Sequence, residues 1–155
     1  MTQHLAIYSR NRSRDYIELM LSGEKTKDVK LFNKRIAPYN KLEVGDRLFI
    51  KESSGPVVGT FEIGEVSHLE FATSEEIHEL LKTIYLEVGM LSLEQVERMY
   101  IKNDYAKYGT VFTIKNPTRL PPLNIFKRDR RAWVYDWELP FNLQLSLESL
   151  VQSGL

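Results

Sequence analysis

Apolar and polar positions change their period several times along this chain, and each change marks a predicted element. An apolar run at 5–8 predicts a short opening strand. Ser13 is a candidate N-cap, after which Tyr16, Ile17, Leu19, Met20 and Leu21 recur along one side of a helix that Gly23 closes. A strand follows at 26–32 with Val29 and Leu31 on one side, and Pro38 and Asn40 mark a loop. Val44-Gly45-Asp46-Arg47 predicts a tight turn into a strand at 48–52, and Ser53-Ser54-Gly55-Pro56 turns the chain back into a strand at 57–66. In that hairpin Phe61 and Ile63 are expected inward, Thr60 and Glu62 outward.

The middle of the chain carries helical spacing. Thr73 and Glu76 predict a capping box ahead of Ile77, Leu80, Leu81, Ile84 and Val88, as far as Gly89. Ser92 and Gln95 repeat the signature ahead of Leu93, Val96, Met99 and Tyr100. Strand resumes at 109–114, Pro117, Pro121 and Pro122 predict an extended loop, and 133–137 reads as a closing strand before an amphipathic tail at 143–155. Strands at both ends around a helical insertion predict an α+β fold: a small mixed β-barrel of about five to seven strands, with an N-terminal helix and one or two inserted helices. One domain is expected over 1–155, its barrel at about 4–137 and a C-terminal tail at 138–155.

Composition narrows the chemistry. A chain of 155 residues with 43% apolar content can bury roughly two-thirds of its unfolded surface without staples. It has no cysteine, which removes disulfides, thiolate metal ligands and a thiol nucleophile. His4, His68 and His78 lack metal-ligand spacing and read as structural or surface residues, so no metal and no cofactor are expected. Gly55, Gly59 and Gly64 lack the strand-to-helix setting of a phosphate loop. No apolar run approaches the roughly 18 residues of a membrane helix, and no secretory signal opens the chain, so the expected location is cytoplasmic.

A net charge of zero conceals segregation along the chain. Residues 10–51 carry a balance of +5, 52–100 of −8, 101–135 of +6, and the last twenty of −3. Two basic segments flank an acidic middle, whose Glu75, Glu79, Glu94 and Glu97 are expected to cover a solvated face. Overall neutrality argues against a protein that coats duplex DNA.

Two constellations could carry chemistry. The first is Gly23-Glu24-Lys25-Thr26-Lys27-Asp28-Val29-Lys30, in which a lysine emerges where a helix gives way to a strand. Asp28 and Lys30 share a strand face, and a carboxylate beside an ammonium fixes both. Strict alternation sets Lys25 on the opposite face, so the three converge only if the strand starts after Lys25 or a bulge intervenes. The second is Lys127, Arg128, Arg130 and Arg131, running into Trp133, Tyr135 and Trp137. In a strand those aromatics fall on one face, either as a stacking platform beside phosphate-binding arginines or, the favoured reading, as barrel core.

Gly23-x-Lys25-x-x-Asp28-x-Lys30 resembles the signature of the ASCH family, Gly-x-Lys-x-x-Glu-x-Arg. Val44-Gly45-Asp46-Arg47-Leu48 is similar to that family's Gly-Asp turn into the next barrel strand. Asp28 stands for the family's Glu and Lys30 for its Arg, which keeps the charges but loses reach and the planar guanidinium fork. The resemblance implies a PUA-like barrel whose charged cleft binds RNA or a small nucleoside or nucleotide. Lys25, Lys30, Arg128, Arg130 and Arg131 are then the expected nucleic-acid-binding residues. One branch of the family resembles a metal-independent amidohydrolase that deacetylates N4-acetylcytidine. It uses a lysine matching Lys25, a threonine at the position of Asp28 (Thr26 is a neighbour) and a glutamate on the insertion, for which Glu75 or Glu76 is the candidate. On that alternative, or as a ribonuclease, Lys25, Asp28 and Lys30 are the catalytic candidates. A third reading is a regulatory domain with a protein partner bound through helices 73–100.

Overall fold

The computed structural model describes residues 1–10, 14–125 and 130–139. Among them, six strands and three helices run in the order β1 Gln3–Tyr8, α1 Tyr16–Ser22, β2 Lys27–Phe32, β3 Arg47–Glu52, β4 Val57–Glu70, α2 Ser74–Ile84, α3 Leu93–Asn103, β5 Tyr108–Leu123 and β6 Trp133–Tyr135. The strands form one mixed sheet in the order β2-β5-β4-β3-β1-β6, with β1 and β3 parallel and the other neighbours antiparallel. The sheet curls into a half-barrel, so the expected α+β barrel with an early helix and two inserted helices is the fold observed. No helix among the described residues is long and apolar enough to cross a membrane.

Curvature comes from β4 and β5, whose long pairing is broken by three register irregularities. Such irregularities bend a ladder and increase its twist. They also accommodate Pro117, Pro121 and Pro122, which were expected in a loop but lie within β5. A proline removes one ladder donor, which is tolerated where pairing is already interrupted.

The concave side is filled by α1. Ile17 and Met20, both fully buried, pack with Leu48, Ile50, Phe61, Phe112 and Trp133. A Cβ at Gly59 would collide with the Leu21 side chain, which shows how closely α1 approaches β4. A second core under α2 and α3 joins Ile77, Leu81, Ile84 and Val96 to Val29, and a third gathers Leu5, Phe49, Val57, Leu120 and Leu139.

Several local expectations change. Asp15 caps α1 by accepting from Glu18 N–H at 3.1 Å, while Ser13 lies outside the described residues. Thr60 is buried, because its hydroxyl donates to Leu48 O at 2.9 Å and accepts from Arg47. The Thr73–Glu76 box is not made, since Glu76 accepts from Ala72 N–H at 3.4 Å and Thr73 forms no side-chain cap bond. Ser92 does cap α3 through Gln95 N–H at 3.3 Å. The tail from 140 onward lies outside the described residues.

Candidate functional site

Lys25 is placed by the way α1 ends. Gly23 closes the helix at φ 86°, its N–H donating to Met20 O, and Lys25 N–H returns to Leu19 O at 2.9 Å. The N–H groups of Thr26 and Lys27 both reach Glu87 O, at 2.9 and 3.0 Å, so β2 begins only at Lys27. That late start frees Lys25 from strand alternation and lets it converge with Asp28 and Lys30. Gly23→Ala is expected to cost about 1–2 kcal/mol through left-handed backbone strain, measured as a lowered urea midpoint.

The three side chains make one ionic cluster, with Lys25 and Asp28 buried and Lys30 part-buried at its edge. Lys25 Nζ donates to Val88 O at 2.7 Å and pairs with Asp28 Oδ1 at 3.1 Å. It also stands 5.2 Å from the centroid of the Tyr16 ring. Asp28 Oδ2 accepts from the Tyr8 hydroxyl at 2.7 Å and lies 3.5 Å from Lys30 Nζ. Lys30 Nζ in turn sits 4.2 Å from the Tyr8 ring centroid. Burial alone would push the Asp28 carboxyl up, but Lys25, Lys30 and the Tyr8 hydroxyl together hold it well below the usual carboxylate range. Burial, then the Asp28 charge and the hydrogen bond to it, push the Tyr8 phenol well above its usual value, so it stays a donor.

This cluster lines a cleft of about 950 Å³, at the upper end of the range for small-molecule sites. Ile7, Ser9 and Tyr16 extend the lining beside it, and Val88 and Met90 contribute from the segment joining α2 to α3. Val29, Leu31 and Phe32 add the rest of β2, and α3 contributes Gln95, Arg98, Met99, Lys102 and Asn103, whose i, i+3, i+4, i+7, i+8 spacing is one helical face. Tyr8, Tyr16 and this face were not expected. The α3 face was legible as spacing, but the strongly acidic surroundings concealed it.

Other candidates stand elsewhere. Neither Glu75 nor Glu76 lines the cleft; both are exposed at the start of α2. Arg130 and Arg131 are exposed, and the bond from Ile7 N–H to Ala132 O at 2.9 Å sets Arg131 level with Tyr8 along the β1–β6 edge. Lys127 and Arg128 lie outside the described residues. The three aromatics do not share a face. Trp133 is buried, Tyr135 is exposed beside Lys41, and Asp136 at φ 55° redirects the chain so that Trp137 packs on Phe49. Asp46, in the Gly-Asp turn, lies away from the cleft and accepts from Thr2 N–H, Glu43 N–H and His4. His68 ties the 33–46 loop to β4 through Asn40 N–H and Leu42 O. His78 pairs with Glu97 across α2 and α3. Leu86, Leu91, Leu93, Ile101 and Tyr105 leave apolar surface exposed on and around α3.

No family model matches the sequence, and neither does any curated protein. Solved structures do match. ASCH from Zymomonas mobilis superposes with a TM-score of 0.64 at 16% identity, over 96% of this chain and 94% of that one. Its tyrosine-to-phenylalanine variant gives a TM-score of 0.63 at 16% identity, over 96% and 97% of the two chains. Its serine-to-alanine variant gives 0.62 at the same identity, over 96% and 95%. At that identity the likeness is one of architecture, carried through nearly the whole of both chains, and this chain has the fold of the Zymomonas mobilis ASCH structure.

Proposed function

We propose that the cleft beside β2 binds RNA or a modified nucleotide. The observation that carries this reading is the convergence of Lys25, Asp28 and Lys30 with two tyrosines at the wall of a cleft large enough for a nucleotide. Aromatic faces suit bases, and ammonium groups suit phosphate or carbonyl oxygens. Lys25 is assigned oxyanion binding: it pairs with the Asp28 carboxylate at 3.1 Å and donates to Val88 O at 2.7 Å, which fixes the position of its donors at the cleft wall.

The test is fluorescence anisotropy with a short single-stranded RNA, alongside thermal shifts with nucleotides and N4-acetylcytidine. Chromatography of each mixture follows. Lys30→Met is expected to weaken RNA binding about 10-fold or more, the size of one charge-assisted hydrogen bond, and to reduce the salt slope by about 0.7. Arg128→Ala with Arg131→Ala is expected to flatten that slope further. Unchanged binding in Lys30→Met sinks the cleft as the binding site. Deacetylated cytidine or cleaved RNA would convert the reading to the hydrolytic alternatives, with Lys25, Asp28 and Lys30 as catalytic candidates.

A second reading is favoured by the exposed Leu86, Leu91 and Leu93: a protein partner docked on residues 73–100. Binding of a purified partner that survives high salt and nuclease treatment, and is lost in Leu91→Ser with Leu93→Ser, would support it.

A further inference from the structure

The helix α3 sorts its charges by face. Its charged residues are Glu94, Glu97, Arg98 and Lys102; both cations line the cleft and neither carboxylate does. With two carboxylates and two cations along one helix, random placement would bring carboxylates to the cleft as well. The cleft lining therefore holds four cations, Lys25, Lys30, Arg98 and Lys102, against the single carboxylate of Asp28.

The two pairs of cations are not equivalent. Lys25 and Lys30 share Asp28, at 3.1 and 3.5 Å, so the β2 side offers a net charge of only +1. Among the described residues Arg98 is held only by Glu94, at 2.8 Å, in a pair whose members are 64% and 77% exposed. An exposed pair of that kind is weak and exchanges readily for a better partner. Lys102, one turn further on, makes no ion pair among the described residues. Arg98 can present its planar fork to two phosphate oxygens, and Lys102 can add a point charge from the same face. Gln95, one turn before Arg98, and Asn103, next to Lys102, also line that face; their amides bond Leu91 N–H and Met99 O within the helix region.

We propose that α3 is a phosphate clamp. The site takes a phosphate ester of a nucleoside, free or within single-stranded RNA, and Arg98 and Lys102 hold the phosphate while the β2 side receives the remainder. This rests on the nucleotide-binding reading and makes the inserted helix half of the site.

The experiment titrates the four common ribonucleosides, their 5′-monophosphates, inorganic phosphate and a ten-nucleotide RNA into the intact chain. At least one monophosphate is expected to bind 10-fold or more tightly than its nucleoside, and Arg98→Ala with Lys102→Ala to bring that ratio to about 1 while leaving nucleoside affinity unchanged. Arg98→Lys restores part of the difference. Both substituted positions are exposed, and circular dichroism confirms that the variants fold. If only the RNA binds, the double substitution lowers its salt slope by about 1.4, at about 0.7 per phosphate contact. Equal affinity for nucleoside and monophosphate, or an RNA slope untouched by the double substitution, overturns the clamp and leaves the cleft reading standing. Absence of binding to every nucleoside, nucleotide and RNA removes both.

Discussion

Asp28→Ala is expected to destabilise the fold by about 3–5 kcal/mol, the range seen when one partner of a buried ion pair is removed. Against a total stability of about 5–15 kcal/mol for a domain, that is a large fraction. The cause is what stays behind. Lys25, 5% exposed, would lose the carboxylate that balances its charge, and the buried Tyr8 hydroxyl would lose its acceptor. Adding Lys25→Met should recover at least half of the loss, because methionine fills similar volume without a charge. A double substitution no more stable than Asp28→Ala alone would mean that packing, not the stranded ammonium, sets the cost.

The same residue predicts an acid dependence. Its native carboxyl is held below the ordinary range, so its contribution is complete above the unfolded value of about 3.9 and is lost as pH falls below it. Wild-type stability should therefore fall more steeply than that of Asp28→Ala below about pH 4. Parallel curves, measured by urea unfolding across that window, would show that Asp28 is not ionised in the way its partners require.

The order of elements was legible because it depends on local periodicity and punctuation. Gly23 at the end of α1, the Ser53–Pro56 turn and the apolar stripe of α2 each act within a few residues. What failed depended on distant partners. Thr60 is polar and was set outward, yet Leu48 O, twelve residues away, gives its hydroxyl a reason to be buried. The β5 prolines were read as a break because nothing local shows that β4 is irregular opposite them. Lys25, Asp28 and Lys30 were singled out by the resemblance to a family signature rather than by spacing, which set Lys25 on the opposite face, and the condition for their convergence, a strand that starts late, is met through Glu87 O from another part of the chain. Tyr8 is 20 residues before Asp28 and the α3 face lies some 70 residues beyond it, so neither could be assigned from the signature alone.

Asp46→Ala is the second large effect, and it separates the two halves of the family-like signature. The carboxylate accepts from Thr2 N–H at 3.1 Å through Oδ1, and from Glu43 N–H at 3.0 Å and His4 Nε2 at 2.8 Å through Oδ2. Trp133 Nε1–H donates to His4 Nδ1 at 3.0 Å, so Nδ1 is an acceptor and the proton lies on Nε2, aimed at Asp46. One carboxylate thus joins the start of β1, the turn before β3 and, through His4, the closing strand β6. The buried His4 N–H left without an acceptor costs about 1–3 kcal/mol, and losing the part-buried bonds from Thr2 and Glu43 adds about 0.5–1.5 kcal/mol each, so the expected total is about 2–5 kcal/mol. Asp46→Asn should not rescue it, since either orientation of the amide points an NH2 group at a donor. The indole environment of Trp133 should change with it, read in near-ultraviolet circular dichroism. Below its melting temperature Asp46→Ala should bind RNA as the wild type does, because the residue is remote from the cleft. An affinity loss comparable to that of Lys30→Met, in protein shown to be folded, would move Asp46 from holding the sheet together to holding the ligand.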